Sequence, residues 1–512
     1  MSRPLRLAGY IAIGVLSGLL LAAGLIFLLS RTDWGMERVR GFAVSWLAER
    51  VDGELRIGRV SGPGLLGGVV LHDFGIIDPK GRPFLATDSI ELNYNIRTLL
   101  GGSVVLNDVA LYGPEIVLEQ LPGDTAWNFE YVFPDNSPGE DAPSTRRLIL
   151  FNDAVIHDGT ATVRMPLEPD GPIEPSDTAR MIIDRLQGGL ARVMRFEDLN
   201  ARLNRVIWES PIEPGRLIEI GSLQSRAFLW RDPLLIEDMG GTITMRDTIV
   251  AFDLPEVELP ATRASVIGRV LLNEGGNDID IRVEASRVAF SDLQFLHPEI
   301  PEEGGGSVLL RVQSQPKGIL WLAQDARLST PGTSVAGSFG VVTGDTLYFT
   351  NVDLRASPLD VDLIESILPG GLPVDGLLVG TVEVRGPLSA LETSGDMRLT
   401  GSGTGADSEI AWRGVLDVRN RSVAARSFDA DVRHLELALV AAFAPELKMK
   451  GSVSGNVQGS GRRDRLNFTG MLEHASSDGG RSVFDGGGSI EGGGRSRRLD
   501  LTLNASPVTI HD

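Results

Sequence analysis

Hydrophobic and polar residues alternate with a period of two along most of this chain. Ile90, Leu92, Tyr94 and Ile96 alternate with Glu91, Asn93 and Asn95, and Ile279, Ile281, Val283 and Ala285 alternate with Asp278, Asp280, Arg282 and Glu284. Val308, Leu310 and Val312, then Leu378, Val382 and Val384, then Leu499, Leu501 and Leu503 continue the pattern. Such alternation sets one face of a strand against apolar matter and the other against water. Glycine, proline, asparagine and aspartate interrupt the runs at short intervals, so the predicted fold is mainly β, a long antiparallel meander.

Helical patterns are few. Met36, Val39, Phe42, Ala43, Trp46 and Leu47 have helical spacing. A second amphipathic helix is expected from Met181, Ile182, Leu186, Leu190 and Val193, weakened by Gly188 and Gly189. Single helical turns are expected at Leu293 to Leu296, Leu363 to Leu368 and Leu437 to Phe443. One segment stands apart: from Leu7 to Ser30 there is no charged side chain, with Arg3 and Arg6 before it and Arg31 after. That length suits a membrane-spanning anchor, which needs about 20 apolar residues, better than a cleaved signal peptide. The flanking arginines are too evenly divided to orient it.

The short helical stretches recur in context. Pro298-Glu299-Ile300 leads to Gly304, Leu368-Pro369 leads through Leu372 and Pro373 to Gly376, and Pro445-Glu446-Leu447 leads to Gly451. Each glycine opens an alternating strand, and the glycines are 72 and 75 residues apart. A repeat of helical turn, proline turn, glycine and several strands builds a quasi-one-dimensional structure. Residues 132–146 and 167–180 are poor in apolar residues and read as loops or linkers, and the glycine clusters within 475–497 read as hairpin turns.

Composition narrows the function classes. The chain has 512 residues, a formal charge of −20 and no cysteine. Its length exceeds what one compact core supports, its acidity disfavours nucleic acid, and disulfides, thiolate metal sites and cysteine nucleophiles are excluded. No catalytic, cofactor or metal site emerges. Gly62-Pro63-Gly64-Leu65-Leu66-Gly67 has the glycine spacing of a dinucleotide loop, but a strand is expected at Val69 to Phe74 where that loop needs a helix. The six histidines lack the spacing of a zinc helix, and Gly451-Ser452-Val453-Ser454-Gly455 puts valine where a nucleophile would stand.

A denser signature lies between Ile57 and Phe129. It comprises Ile57-Gly58-Arg59-Val60-Ser61-Gly62, Leu66-Gly67-Gly68-Val69-Val70-Leu71-His72-Asp73-Phe74, Asp78-Pro79-Lys80-Gly81-Arg82-Pro83 and Asp88-Ser89-Ile90-Glu91-Leu92. Leu99-Leu100-Gly101-Gly102, a strand pair from Val109 to Val117 through Gly113-Pro114, and Trp127-Asn128-Phe129 continue it. This segment closely resembles the amino terminus of the AsmA-like superfamily, TamB-type proteins in particular. The resemblance implies an inner-membrane anchor, a periplasmic body, and a curved, taco-like β-groove that conducts phospholipids toward the outer membrane. The longer β-region and carboxy-terminal domain of TamB-type proteins have no counterpart here, so a fragment or a shorter relative is expected.

The organisation that follows is a cytoplasmic tip and anchor over 1–32 and a module of capping helix and strands over 33–131. A strand segment with linkers covers 132–180, an amphipathic helix and groove cover 181–290, and repeated groove units cover 291–512, truncated at the carboxy terminus. Phe42, Trp46 and Leu47 are expected to close the groove at its membrane end. The sixteen alternating apolar residues from Ile90 to Leu503 named at the outset, Ala285 apart, are expected to line it, with phospholipids and the inner membrane as partners. A non-enzymatic lipid bridge is the leading expectation. The alternative is an assembly factor that offers a β-edge to outer-membrane or secreted barrel proteins, with such a barrel protein at the carboxy-terminal end.

Overall fold

A computed structural model describes residues 51–506 apart from several connections, chiefly 95–103, 134–147, 168–179, 272–277, 364–373, 402–406, 444–449 and 492–497, together with the isolated Gly41. The segments 7–30, 36–40 and 42–47, with Phe42, Trp46 and Leu47, lie outside the described residues, as does Ile96. No described helix is long and apolar enough to cross a membrane. The described chain is mainly β, and it divides into unit 1, Met1–Pro260, and unit 2, Ala261–Asp512.

Unit 1 contains β1 (Glu54–Gly64), β2 (Gly68–Ile77), β3 (Pro83–Tyr94), β4 (Val104–Tyr112), β5 (Glu115–Glu119), helix α1 (Asn128–Val132), β6 (Ile149–Leu167), β7 (Ile183–Leu186), β8 (Gly189–Glu209), β9 (Arg216–Phe228), β10 (Leu234–Ile236), β11 (Asp238–Arg246) and β12 (Ile249–Glu258). The glycine-rich stretch at 62–67 joins two antiparallel strands, β1 and β2, which is the geometry of a hairpin rather than of a nucleotide loop.

Three features depart from the sequence expectation. Gly113-Pro114 does not turn the chain back: β4 and β5 run on in one direction, both antiparallel to β3, and they do not pair with each other. Both lie parallel to β6, so the sheet is mixed rather than wholly antiparallel. The long connection carrying α1 supplies the crossover that parallel pairing needs. The expected helix over 181–193 is instead a hairpin of β7 and β8, turning through Gly188 at φ 111° and Gly189 at φ 152°. Two adjacent glycines weaken a helix and supply the backbone angles of a tight turn at no steric cost. In unit 2, Gly486-Gly487-Gly488 lies within a strand rather than in a turn.

Six aspartates, Asp73, Asp108, Asp153, Asp158, Asp198 and Asp325, sit inside strands with φ between 49° and 53°. Each follows a polar residue, as in Leu71-His72-Asp73-Phe74, Leu106-Asn107-Asp108-Val109 and Phe151-Asn152-Asp153-Ala154. Two consecutive polar residues would throw the next apolar side chain onto the wrong face. The left-handed step, which aspartate tolerates better than most residues, restores the phase. Leu106 pairs with Phe151 and Val109 with Ala154 on the same face of the ladder.

Unit 2 contains β13 (Arg263–Leu271), β14 (Asp278–Ala289), a 3-10 turn η1 (Phe290–Leu293), β15 (Gly305–Gln315), β16 (Gly318–Thr330), β17 (Thr333–Thr343), β18 (Tyr348–Asp360), β19 (Leu377–Pro387), β20 (Leu391–Thr400), β21 (Ser408–Asp417), β22 (Ala424–Glu436), helix α2 (Leu437–Phe443), β23 (Ser452–Arg462), β24 (Arg465–Ala475), β25 (Arg481–Glu491) and β26 (Arg498–Ser506). Each strand pairs antiparallel with the next.

The repeat is present as a hydrogen-bonded module. The N–H groups of Phe290, Val361 and Leu437, which open three short helical elements, donate to the carbonyls of Gly304, Gly376 and Gly451 at 3.1, 2.9 and 2.9 Å. One residue earlier, the N–H groups of Ala289, Asp360 and Glu436 donate to the hydroxyls of Thr262, Thr333 and Ser408 at 2.9, 3.0 and 3.1 Å. All three hydroxyl residues are buried. A buried hydroxyl thus satisfies the N–H left over where each fourth strand ends, as buried backbone groups require.

Candidate functional site

Directly paired residues in an antiparallel ladder point to the same face, so the register of unit 2 traces its faces strand by strand. Ile279 pairs with Val270 on β13, while Ile281 and Val283 pair with Val312 and Leu310. Val312 pairs with Trp321, Trp321 with Val341, and Val341 with Phe349. Val352, Leu354 and Leu359 of β18 meet Val384, Val382 and Leu378. Leu378 pairs with Leu399, and Met397 leads through Ile410 and Val432 to Gly455, then Leu472 and Phe484. Leu499, Leu501 and Leu503 occupy the register positions opposite Ile490, Gly488 and Gly486. The unit 2 residues singled out from sequence therefore fall on one register face, fourteen strands wide and roughly 60 Å across at the usual strand spacing.

This face is only partly covered. Ile279, Ile281, Val283, Val308, Leu310, Val312, Leu378, Val382 and Val384 are half-buried, while Trp321 and Phe339 are 43% and 41% exposed. A sandwich of two sheets buries such residues almost completely. Glycines keep parts of the face low: Gly414, Phe428, Gly459, Phe468 and Gly488 form one cross-strand row in which rings alternate with bare backbone. Trp412 lies over Gly395, where an added Cβ would collide with its ring, and Phe428 lies against Gly414 in the same way. An aromatic ring over a strand glycine covers backbone that would otherwise be wet.

The opposite face is ionic. Asp280 pairs with Arg311 at 3.3 Å, and Arg433 joins Asp396 at 2.8 Å and Glu409, which also receives Arg398 at 2.9 Å. Hydrogen bonds that Arg433 donates to Asp396 and Glu409 raise its pKa, and those that Arg433 and Arg398 donate to Glu409 lower that of Glu409. The arrangement spans β20, β21 and β22 and keeps that face in water.

Unit 1 presents a different environment. Ile90, 7% exposed, pairs with Leu71 and Leu111 in a closed cluster with Ile57, Phe74, Ile76, Val109 and Val132, and Leu92 packs against it. Tyr94 is described as backbone only. Ile90 and Leu92 thus belong to the packed core of unit 1. The sequence signature at 78–83 and 127–129 proves to be a fastening. Arg82 binds Asp78 at 2.7 Å and Asp124 at 2.6 Å and lies 3.7 Å from Glu119, while Lys80 binds Asp124 at 2.7 Å and stands over the Tyr131 ring. Asn128, fully buried, donates to the Val117 carbonyl at 2.7 Å and accepts the Glu119 N–H at 3.0 Å. Nothing in the residue types alone announced this network, since its members come from three separate segments.

Among the described residues no group of histidine or carboxylate side chains is arranged to hold a metal ion. No protein-family profile, curated protein or solved structure matches the chain.

Proposed function

We propose that unit 2 conducts phospholipids, holding acyl chains against its apolar face while headgroups remain in water, within an inner-membrane-anchored periplasmic protein of the AsmA-like kind. The observation that supports this reading is the unbroken apolar register from β13 to β26 combined with its incomplete burial. Exposing about fifteen methylenes to water costs about 12 kcal/mol, at about 0.8 kcal/mol each, so an apolar track lowers the main barrier to moving a lipid between membranes. No reacting group is required. The curved, groove-like form of the sheet and the spanning role of residues 7–30 belong to this proposal.

Photo-crosslinking residues placed at Leu310 and Val382 are expected to capture phospholipid, identified by mass spectrometry, whereas neighbours at Arg311 and Glu383 are not. Equal capture from both faces would overturn the reading, and stoichiometric capture of a barrel protein at the apolar positions would replace it with the assembly role.

A pair of substitutions separates an open face from a closed core. Ile90→Glu is expected to cost unit 1 about 4 kcal/mol or more, because the carboxylate must be desolvated inside a packed cluster. Ile281→Glu is expected to cost about 1–2 kcal/mol, since the half-buried side chain can reach water. Urea titration of each full-length variant measures the difference, and equal losses would mean that the apolar face of unit 2 is sealed.

A further inference from the structure

In an antiparallel ladder successive hairpins fall alternately on the two edges of the sheet. The strand ends that the β21–β22, β23–β24 and β25–β26 connections join therefore lie side by side on one edge, about 10 Å apart at the usual strand spacing. Among the described residues these strand ends carry Arg419, Arg426, Arg462, Arg465 and Arg498 against Asp417 and Glu491, in a chain whose formal charge is −20. The connections returning along the opposite edge, 400–408, 436–451 and 475–481, carry no excess of basic residues. The earlier connections on the arginine edge lack it too: 271–278 holds two carboxylates and no base.

The arginine edge directly borders the apolar face. Arg419 follows Leu416 by three residues and Arg426 adjoins Ala425, the register partner of Leu416, while Arg465 and Arg498 each stand one residue from an apolar register position, Leu466 and Leu499. Asp417 holds Arg419 at 2.6 Å and Glu491 holds Arg465 at 3.2 Å, which fixes guanidinium groups at the edge without cancelling the local excess, among the described residues, of five arginines over two carboxylates.

We propose that this edge docks on a membrane surface bearing anionic phospholipids, its arginines meeting the headgroup phosphates where acyl chains enter or leave the apolar face. The inference rests on the lipid reading of unit 2 and adds the headgroup class and the place of contact. Guanidinium matches phosphate as a two-pronged donor, and a cluster of cations beside an apolar surface has the polarity of the lipid itself. A nucleic acid would meet the same charge but gains nothing from the apolar face beside it.

The test uses the full chain immobilised through an amino-terminal tag and exposed to vesicles of phosphatidylcholine with or without one-third phosphatidylglycerol. Capture of the anionic vesicles is expected, with little capture of the neutral ones, and high salt should abolish it. The triple variant Arg419→Gln, Arg465→Gln, Arg498→Gln should bind anionic vesicles at least about tenfold more weakly, at about fivefold for each arginine near the surface. A charge-matched control, Arg282→Gln, Arg327→Gln, Arg355→Gln, removes exposed arginines from the ionic face and should leave capture intact. Unchanged capture by the edge variant, equal loss in the control, equal capture of neutral vesicles or a preference for duplex DNA would each overturn the proposal. Lipid crosslinking at Leu310 in the edge variant reads conduction separately, so failure of docking with crosslinks preserved removes the edge assignment alone.

Discussion

Gly380→Val should cost unit 2 about 3–5 kcal/mol, the range of a strained backbone combined with a steric conflict in a paired strand. Gly380 has φ 146°, and a Cβ there would overlap the carbonyl oxygen of Asp396 on the neighbouring strand β20. The conflict recurs through the repeats: a Cβ on Gly306 would overlap the carbonyl of Arg327, and one on Gly455 that of Met471. Backbone cannot step aside as a flexible side chain can, so relieving the overlap means separating β19 from β20. Because Val382 and Val384 lie just beyond Gly380 on the same strand, loss of pairing there also breaks the apolar face. Gly332→Ala is the comparison. Gly332 has φ 84° in the β16–β17 turn with open space around it, and only the left-handed penalty of about 1 kcal/mol is expected. Urea unfolding followed by Trp321 and Trp412 fluorescence measures both, and similar midpoints for the two variants would show that the close approach at Gly380 is tolerated.

Much of this architecture is legible in the alternation of residue types. Ile279 to Val283 and Leu378 to Val384 are strands whose apolar sides share a register face, and the glycines at 304, 376 and 451 open strands after short helical elements. The alternation fails as a guide in physically definable places. Around 181–193 the apolar spacing fits a helix, yet Gly188 and Gly189 favour a turn by more than that spacing favours a helix. At Gly113-Pro114 a pair of turn-forming residues sits inside one continuous line of chain, because the N–H of Gly113 and the carbonyl of Pro114 both remain bonded to β6. The motif of apolar, polar, aspartate, apolar was readable in principle: it is where the alternation slips by one, and it recurs at all six left-handed strand aspartates in near-identical form. The fate of the apolar positions was not readable. Ile90 and Ile281 have the same local pattern, and only the tertiary packing around Ile90 makes it a core residue.

The same limit applies to charge. Arginines at 419, 465 and 498 look like scattered solvated residues until pairing brings their hairpins to one edge, whereas Arg433 looks similar and belongs to a cross-strand network on the ionic face. Topology, not local composition, separates an edge that can meet a second surface from a face that only has to stay wet.

Arg82→Met should destabilise unit 1 by about 3–5 kcal/mol, the cost of leaving buried charge without its partner. Asp78 is 2% exposed and Glu119 6% exposed, and Arg82 faces both, with its hydrogen bond to Asp78 and its approach to Glu119. Methionine keeps the length of the side chain and removes the charge, so the loss reports electrostatics rather than a cavity. Arg164 reaches Glu119 at 3.1 Å and offsets part of the loss there, which leaves Asp78 as the main liability. The pH dependence follows from Asp124. Burial pushes its carboxyl up, but hydrogen bonds from Lys80 and Arg82 outweigh that and hold its pKa below the ordinary range. Its contribution is therefore complete above the ordinary carboxylate pKa of about 4 and is lost as pH falls through the lowered value. Lys80 and Arg82 are shifted upward, so their contribution persists until strongly alkaline pH. Protease resistance of residues 51–133 in the full chain should accordingly be constant from about pH 5 to 9 and decline in acid, and Arg82→Met should flatten that decline as well as lower the plateau. An acid profile unchanged by Arg82→Met would mean that Asp124 is held by Lys80 alone and that the fastening does not depend on Arg82.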